Sequence, residues 1–272
     1  MSLHDLLDTN YGSDGAAALL ARLEGEQKCD QEERVAGEPD LHVAARRQRL
    51  EAVQILLEHG LAVDARNGHG KSAYVHALRR SLNEVAELLI AVRCESGLEL
   101  PDQLAVRTSR GETEEARSLL ERNPAIAKTG NPEEDRLLAD MAGRADQGPV
   151  QIPIDAGANL AAPGLDDATP LHNAAWFAQA QNARLLVEAG APLNLFEMAH
   201  GTSPIGWAAH GSSCSGGAEA NHVVYVEITQ LLLEAGAYLH YPGAPGDGAY
   251  LARLQAEASP QVEGVLTEWM KR

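Results

Sequence analysis

The stretch ATPLHNAAWFAQAQNARLLVEAGAPLN, Ala168 to Asn194, decides the fold. Thr169 followed by Pro170 gives a hydroxyl that can cap orphan amides and a proline in a first helical turn, where its missing N–H costs nothing. A helix therefore opens here, and Ala174/Ala175 give it a small face against which another helix can pack closely. The leucine-rich run Ala183 to Ala189 supplies a second helix, which Gly190 ends in the left-handed conformation. The stretch reads as one helical hairpin.

Both halves of that hairpin recur along the chain. Its ending returns as LLEAGAYLH at Leu232 to His240, IDAGANL at Ile154 to Leu160 and LLEHGLAVDA at Leu56 to Ala65. Gly157 and Gly190 stand 33 positions apart, while Gly190 and Gly236 stand 46 apart, one unit plus an insertion of about 13. The opening TPLHNAA (Thr169 to Ala175) returns as TSPIGWAA (Thr202 to Ala209), PDLHVAA (Pro39 to Ala45) and SAYVHAL (Ser72 to Leu78). From Leu41 to Ile55, Tyr74 to Leu88 and Leu171 to Leu185 the separation is 14 each time, so the hairpin has a constant size. Loops rich in Gly, Asp and Asn, such as Arg66 to Gly70 and Gly164 to Asp167, suit tight turns between units.

Composition agrees with helices packed on helices. The 272 residues are 44% hydrophobic but include only two Phe, three Trp and six Tyr, so the core must be built from Ala, Leu, Val and Ile. A formal charge of -17 disfavours nucleic acid as a partner, because duplex binding draws on clustered Lys and Arg. Cys29, Cys94 and Cys214 are odd in number and far apart, which fits neither a disulfide framework nor a cysteine zinc site and points to a reducing cytoplasm. Met1 to Asp8 carries His4, Asp5 and Asp8 rather than a basic, then apolar, leader. Apolar runs such as Leu88 to Val92 are far shorter than the roughly 20 residues that span a bilayer. A cytoplasmic protein without a membrane segment is expected.

The Thr-Pro-Leu-His opening, alanine pair, leucine-rich second helix and Gly-Ala ending resemble the ankyrin repeat, of the bacterial type, from about Leu41 to Leu239. The resemblance implies an all-α solenoid of about six to seven helix-turn-helix units with short β-hairpin loops and terminal capping helices. Residues 1–36 are expected to form an amino-terminal cap or degenerate repeat, 37–240 the repeats with an insertion near 211–224, and 241–272 a carboxy-terminal cap with a polar outer side. Glu115 to Leu120 and Val150 to Gly157 are degenerate, and Pro153 predicts a short or kinked second helix there.

The same resemblance implies a concave surface that binds another protein, faced by the two positions after each alanine pair. These are Arg46 and Arg47, Arg79 and Arg80, Trp176 and Phe177, and His210 beside Gly211, with Arg144 added from a degenerate unit. Arginines and aromatics dominate binding energy at interfaces, so an acidic or phosphorylated segment is the expected partner of a monomer. A plainer reading stands beside it, in which the arginines complement helix dipoles and the aromatics pack on a neighbouring unit. His42 and His172 are expected to clamp neighbouring loops rather than catalyse. The paired acids Asp166/Asp167, Glu114/Glu115 and Glu133/Glu134 read as turn or helix-start residues.

Insertions in repeat arrays map to loops on one face, often the binding face. His200, His210, Cys214 and His222 gather around this insertion and keep open the alternative of a metal-dependent enzyme or small-molecule binder. Their spacing is irregular, however, and GSSCS lacks the second glycine of a nucleophile elbow. With no Gly-rich phosphate loop and no HExxH, the sequence points to a chain that is not an enzyme and needs no cofactor or metal.

Overall fold

The structure, a computed structural model, describes residues 2–8, 11–25, 38–79, 82–92, 98–144, 148–164 and 167–271. Arg80, Asp166, Cys29 and Cys94 lie outside the described residues. The chain divides into two compact units, Met1–Arg110 and Gly111–Arg272, a boundary for which the repeat phrases carry no signal.

The first unit contains α1 (Leu3–Asp8), α2 (Gly15–Gly25), α3 (Asp40–Arg46), α4 (Leu50–Glu58), α5 (Ala73–Arg79), α6 (Asn83–Val92) and α7 (Leu100–Ser109). First helices of successive hairpins pack as one row, α1 on α3, α3 on α5 and α5 on α7; second helices pack as another, α2 on α4 and α4 on α6. The alanine pair explains the close spacing: Ala44 and Ala45 are fully buried, along with Ala52, Ala73 and Ala77, and Leu41, Leu56 and Leu89 fill the space between the rows. Close packing by small side chains lets short helices bury a continuous core that none could hold alone.

The second unit follows the same plan. Its helices are α8 (Thr113–Arg122), α9 (Pro132–Asp135), α10 (Leu137–Ala142), α11 (Gly148–Asp155), α12 (Pro170–Trp176), α13 (Ala180–Glu188), α14 (Pro204–Cys214), α15 (His222–Glu234), α16 (Ala249–Glu257) and α17 (Pro260–Trp269). One row runs α10, α12, α14, α16 and the other α8, α11, α13, α15, α17. Gly157, Gly190 and Gly236 follow the second helices with φ of 78°, 86° and 101°, and Gly60 does so in the first unit at 81°.

Two expectations change in detail. The loops carry no β-hairpin ladder among the described residues, only an isolated antiparallel bridge between Arg66 and Ser72. The helix around Pro153 is short as expected: α11 has eight residues, against nine in α13 and 13 in α15, and Pro153 sits in its last turn, where it gives up a single backbone hydrogen bond. The insertion is half helix rather than all loop: residues 211–214 extend α14 and 222–224 open α15, with turns over 215–221 between them. α14 has 11 residues and α15 has 13, against seven in α12 and nine in α13. The Tyr225 hydroxyl holds the two lengthened helices together, bonded to Ser215 Oγ (2.8 Å) and donating to the Trp176 carbonyl.

A candidate aromatic recognition pocket

Within the second unit, the row α12, α14, α16 opens into a pocket of about 450 Å³. The end of α12 delivers Trp176, and Phe177 follows directly. On α14, Gly206, Trp207 and His210 share one face through their three- and four-residue spacing. The loop ahead of α14 adds His200 and Thr202, and α16 closes the side with Arg253 and Glu257, one turn apart.

The two indoles meet at a corner, with ring centroids 5.7 Å apart and planes at 74°. The His210 ring stacks on Trp176 at 5.6 Å and 28°, and His200 packs on Trp207 at 5.7 Å. Trp207 is nearly buried, whereas the Phe177 side of the pocket is open, with that ring 52% exposed. Behind Trp207, the buried Glu197 carboxylate accepts the indole N–H at 3.3 Å and the backbone N–H groups of His200 (2.7 Å) and Thr202 (3.2 Å). These donors satisfy the polar atoms of a carboxylate buried beside an aromatic wall.

Arg253 is committed internally. Its Nε donates to Glu257 Oε1 at 2.9 Å, its terminal nitrogens reach the carbonyls of His200 and Gly201 at 3.3–3.4 Å, and its pKa is raised by hydrogen bonds to Glu257 and Tyr241. Glu257 Oε2 stands 3.7 Å from His210 Nδ1, outside hydrogen-bond reach, and that nitrogen is buried without a hydrogen-bond partner.

The floor depends on a glycine. A Cβ on Gly206 would come within 1.8 Å of Thr202 Oγ1 and 2.8 Å of the Tyr250 hydroxyl. That hydroxyl bonds Thr202 Oγ1 (2.8 Å) and Ser203 Oγ (2.8 Å) and accepts the Ser203 N–H (3.1 Å), tying α16 to the start of α14. His172 completes the wall from behind: its ring contacts Trp207 at 5.6 Å, and Nε2–H donates to the Thr202 carbonyl at 3.2 Å. His42 makes the matching contact to the Lys71 carbonyl at 2.8 Å in the first unit, so both histidines clamp the next loop.

Of the sequence-derived contact residues, Trp176, Phe177 and His210 come together here. The arginines behave differently. Arg79 is buried, with Nη1 2.8 Å from Asp102 Oδ1, and Lys71 pairs with the other Asp102 oxygen at 3.0 Å. Arg46 is largely buried between Asp8 (2.8 Å) and Glu38 (3.2 Å), and Arg47 reaches Asp8 at 2.7 Å. Burial pushes the Asp8 carboxyl up, but the hydrogen bond from Arg47 and the nearby charges of Arg46 and Arg47 outweigh it and hold the group below the usual range. Arg144 lies against the Met141 sulfur at 3.6 Å and is not among the pocket's lining.

Sequence reasoning missed Glu197, Arg253, Glu257 and Tyr250, which come from a loop and a closing helix beyond the reach of the repeat phrase. A signal was present in the Arg253/Glu257 spacing of four on a helix. His222 and Cys214 do not join His200 and His210 at the pocket, and among the described residues no group of three His, Cys, Asp or Glu is placed to hold a metal. No described helix is long and apolar enough to cross a membrane.

The architecture is that of a helical-hairpin repeat protein, stacked in two units around alanine-rich faces. Residues 8–99 match the family described as Ankyrin repeats (3 copies), so this stretch of the chain carries ankyrin repeats. It is 39% identical over 69 residues to a probable E3 ubiquitin-protein ligase, XBOS33, of Oryza sativa subsp. japonica; the match covers 25% of this chain and 13% of that protein's length. Among solved structures, the human ASB11 ankyrin repeat domain is similar over 99% of this chain and 97% of its own, at 18% identity and a TM-score of 0.38. An ankyrin repeat domain from Acinetobacter baumannii is similar over 87% and 98%, at 21% identity and a TM-score of 0.32.

Proposed function

We propose that this protein is a protein-binding module that engages its partner through the second unit, with Trp176, Trp207 and His210 forming a recess and Phe177 its rim. Ankyrin repeats are in general protein–protein interaction modules. The observation that carries the reading for this chain is the open corner of two indoles with a half-exposed phenylalanine at its edge. Aromatic anchors in a recess are where interface energy concentrates. The surrounding protein is strongly acidic and its cysteines are dispersed, which supports a monomer in a reducing cytoplasm that does not bind nucleic acid.

An acidic or phosphorylated partner loses the support that the arginine stripe lent it. Arg46, Arg47 and Arg79 already carry carboxylate partners within their own unit. A pocket of about 450 Å³ also falls in the size range of small-molecule sites, so a small-molecule receptor is the second reading.

Affinity capture from native extract separates the two. Wild-type protein is expected to retain a protein that a Phe177→Ser/Trp176→Leu double variant releases, while an Arg184→Ala control keeps it. Equal capture by wild type and the double variant would refute the pocket as the binding surface.

A further inference from the structure

We infer that the aromatic pocket of the second unit receives the side-chain ammonium of a lysine in a basic segment of the partner, an inference that rests on the protein-binding reading above. Three observations converge on a cation. The walls are electron-rich: two indoles with planes at 74°, each packed on an imidazole, give π faces to which an ammonium is drawn. The Trp207 N–H donates to the buried Glu197 carboxylate, and that donation shifts further electron density onto the ring. Finally, Glu257 turns one carboxylate oxygen toward His210 without a hydrogen bond, leaving an acceptor at the pocket wall.

The local charge has the matching sign. Apart from the imidazoles, the ionisable groups at the pocket are the carboxylates Glu197 and Glu257 against the single guanidinium of Arg253. Arg253 spends its donors on Glu257, the carbonyls of His200 and Gly201, and Tyr241, so it offers no free fork to an anion. Around the pocket, residues 111–272 hold nine Lys and Arg against 21 Asp and Glu, a field that gathers a basic segment and repels an acidic one.

Lysine fits better than arginine for a geometric reason. A guanidinium gains its advantage by presenting two parallel N–H groups to two acceptors, and Glu257 Oε1 is already taken by Arg253. An ammonium is a point charge that needs one oxygen, and its methylene stem can lie along the exposed Phe177 and the indole edge.

The test uses the full chain, ¹⁵N-labelled, with the indole N–H signals of Trp176 and Trp207 as reporters and Trp269, which does not line the pocket, as internal reference. Titration with n-butylammonium chloride, the lysine side chain cut free, is expected to shift the two pocket signals saturably. The uncharged n-pentanol should bind about tenfold more weakly, and Glu257→Gln should weaken butylammonium by a similar factor. Equal shifts with pentanol, or no saturable shift with either probe, would overturn the assignment, and tighter binding of n-propylguanidinium would reassign the pocket to arginine. Should butylammonium fail while Trp176→Leu still abolishes partner capture, the lysine inference falls and the protein-binding reading stands. Failure of both removes both.

Discussion

His172 is uncharged in the folded chain because its surroundings offer a place for a neutral ring only. Nδ1 accepts from the Thr169 N–H (3.2 Å), Nε2–H donates to the Thr202 carbonyl, and no water-exposed face remains. Burial lowers its pKa to about 4, against the smaller upward pull of the Thr202 carbonyl and Glu197. In the unfolded chain a histidine titrates near 6.5, so between 6.5 and 4 the unfolded state takes up a proton that the folded state refuses. Its contribution is complete above pH 6.5 and declines as the pH falls toward 4, by up to about 3 kcal/mol. Urea unfolding followed by tryptophan fluorescence should show the midpoint falling from pH 7 to pH 4.5, with His172→Gln starting lower and varying less; parallel curves would remove His172 as the cause. The arginines differ among themselves for a related reason. Arg79→Ala strands the buried Asp102 carboxylate with Lys71 alone and should cost about 3 kcal/mol. Arg47 is 42% exposed, and its loss should cost less than about 1 kcal/mol. Circular dichroism in urea checks the ranking. The sequence shows four arginines in register but not that Asp102, 23 positions further on, reaches back to claim one of them.

The hairpins are legible because each boundary is written in local chemistry: Thr169-Pro170 and Ser203-Pro204 at the openings, Gly190 and Gly236 at the closings. The insertion is less so, since GSSCSGGAEANHVVYV contains glycines that suggest a loop, whereas its outer parts extend α14 by way of Gly211 and Ser212 and open α15 with His222 to Tyr225. The bond from Tyr225 to the Trp176 carbonyl and the packing of α14 on α16 decide that outcome, and neither Trp176 nor α16 is near in sequence. For the candidate site, Trp176, Phe177 and His210 follow from their fixed offset to the alanine pair. Glu197 and Glu257 do not, because loop and closing-helix positions obey no repeat. α14 tests this physically. Gly206→Ala drives a methyl into Thr202 and Tyr250, both held by hydrogen bonds, and should destabilise by about 2 kcal/mol. Gly264→Ala in α17 meets open space and should be neutral or stabilise by up to about 1 kcal/mol. Thermal melts of both variants decide it; equal effects would mean the pocket floor yields to a methyl group.

Repeat arrays are held together by contacts between neighbours, so cooperativity can break wherever neighbour contacts thin out. In this chain the two compact units part at Arg110 and Gly111. All three tryptophans, Trp176, Trp207 and Trp269, belong to the second unit, which gives the molecule a built-in reporter. Tryptophan fluorescence follows the second unit, while far-ultraviolet circular dichroism sums helices from both. If each unit holds its own core, the two probes should give urea transitions that do not coincide, the standard sign of departure from two-state behaviour. Variants then assign the transitions. Asp102→Asn, which loosens the buried pairing of Lys71 and Arg79, should move the circular dichroism curve and leave the fluorescence midpoint in place. Gly206→Ala should move the fluorescence midpoint. Superimposable curves that shift together for both variants would show a single cooperative block, and a mutation in one unit would then be felt at the aromatic pocket of the other.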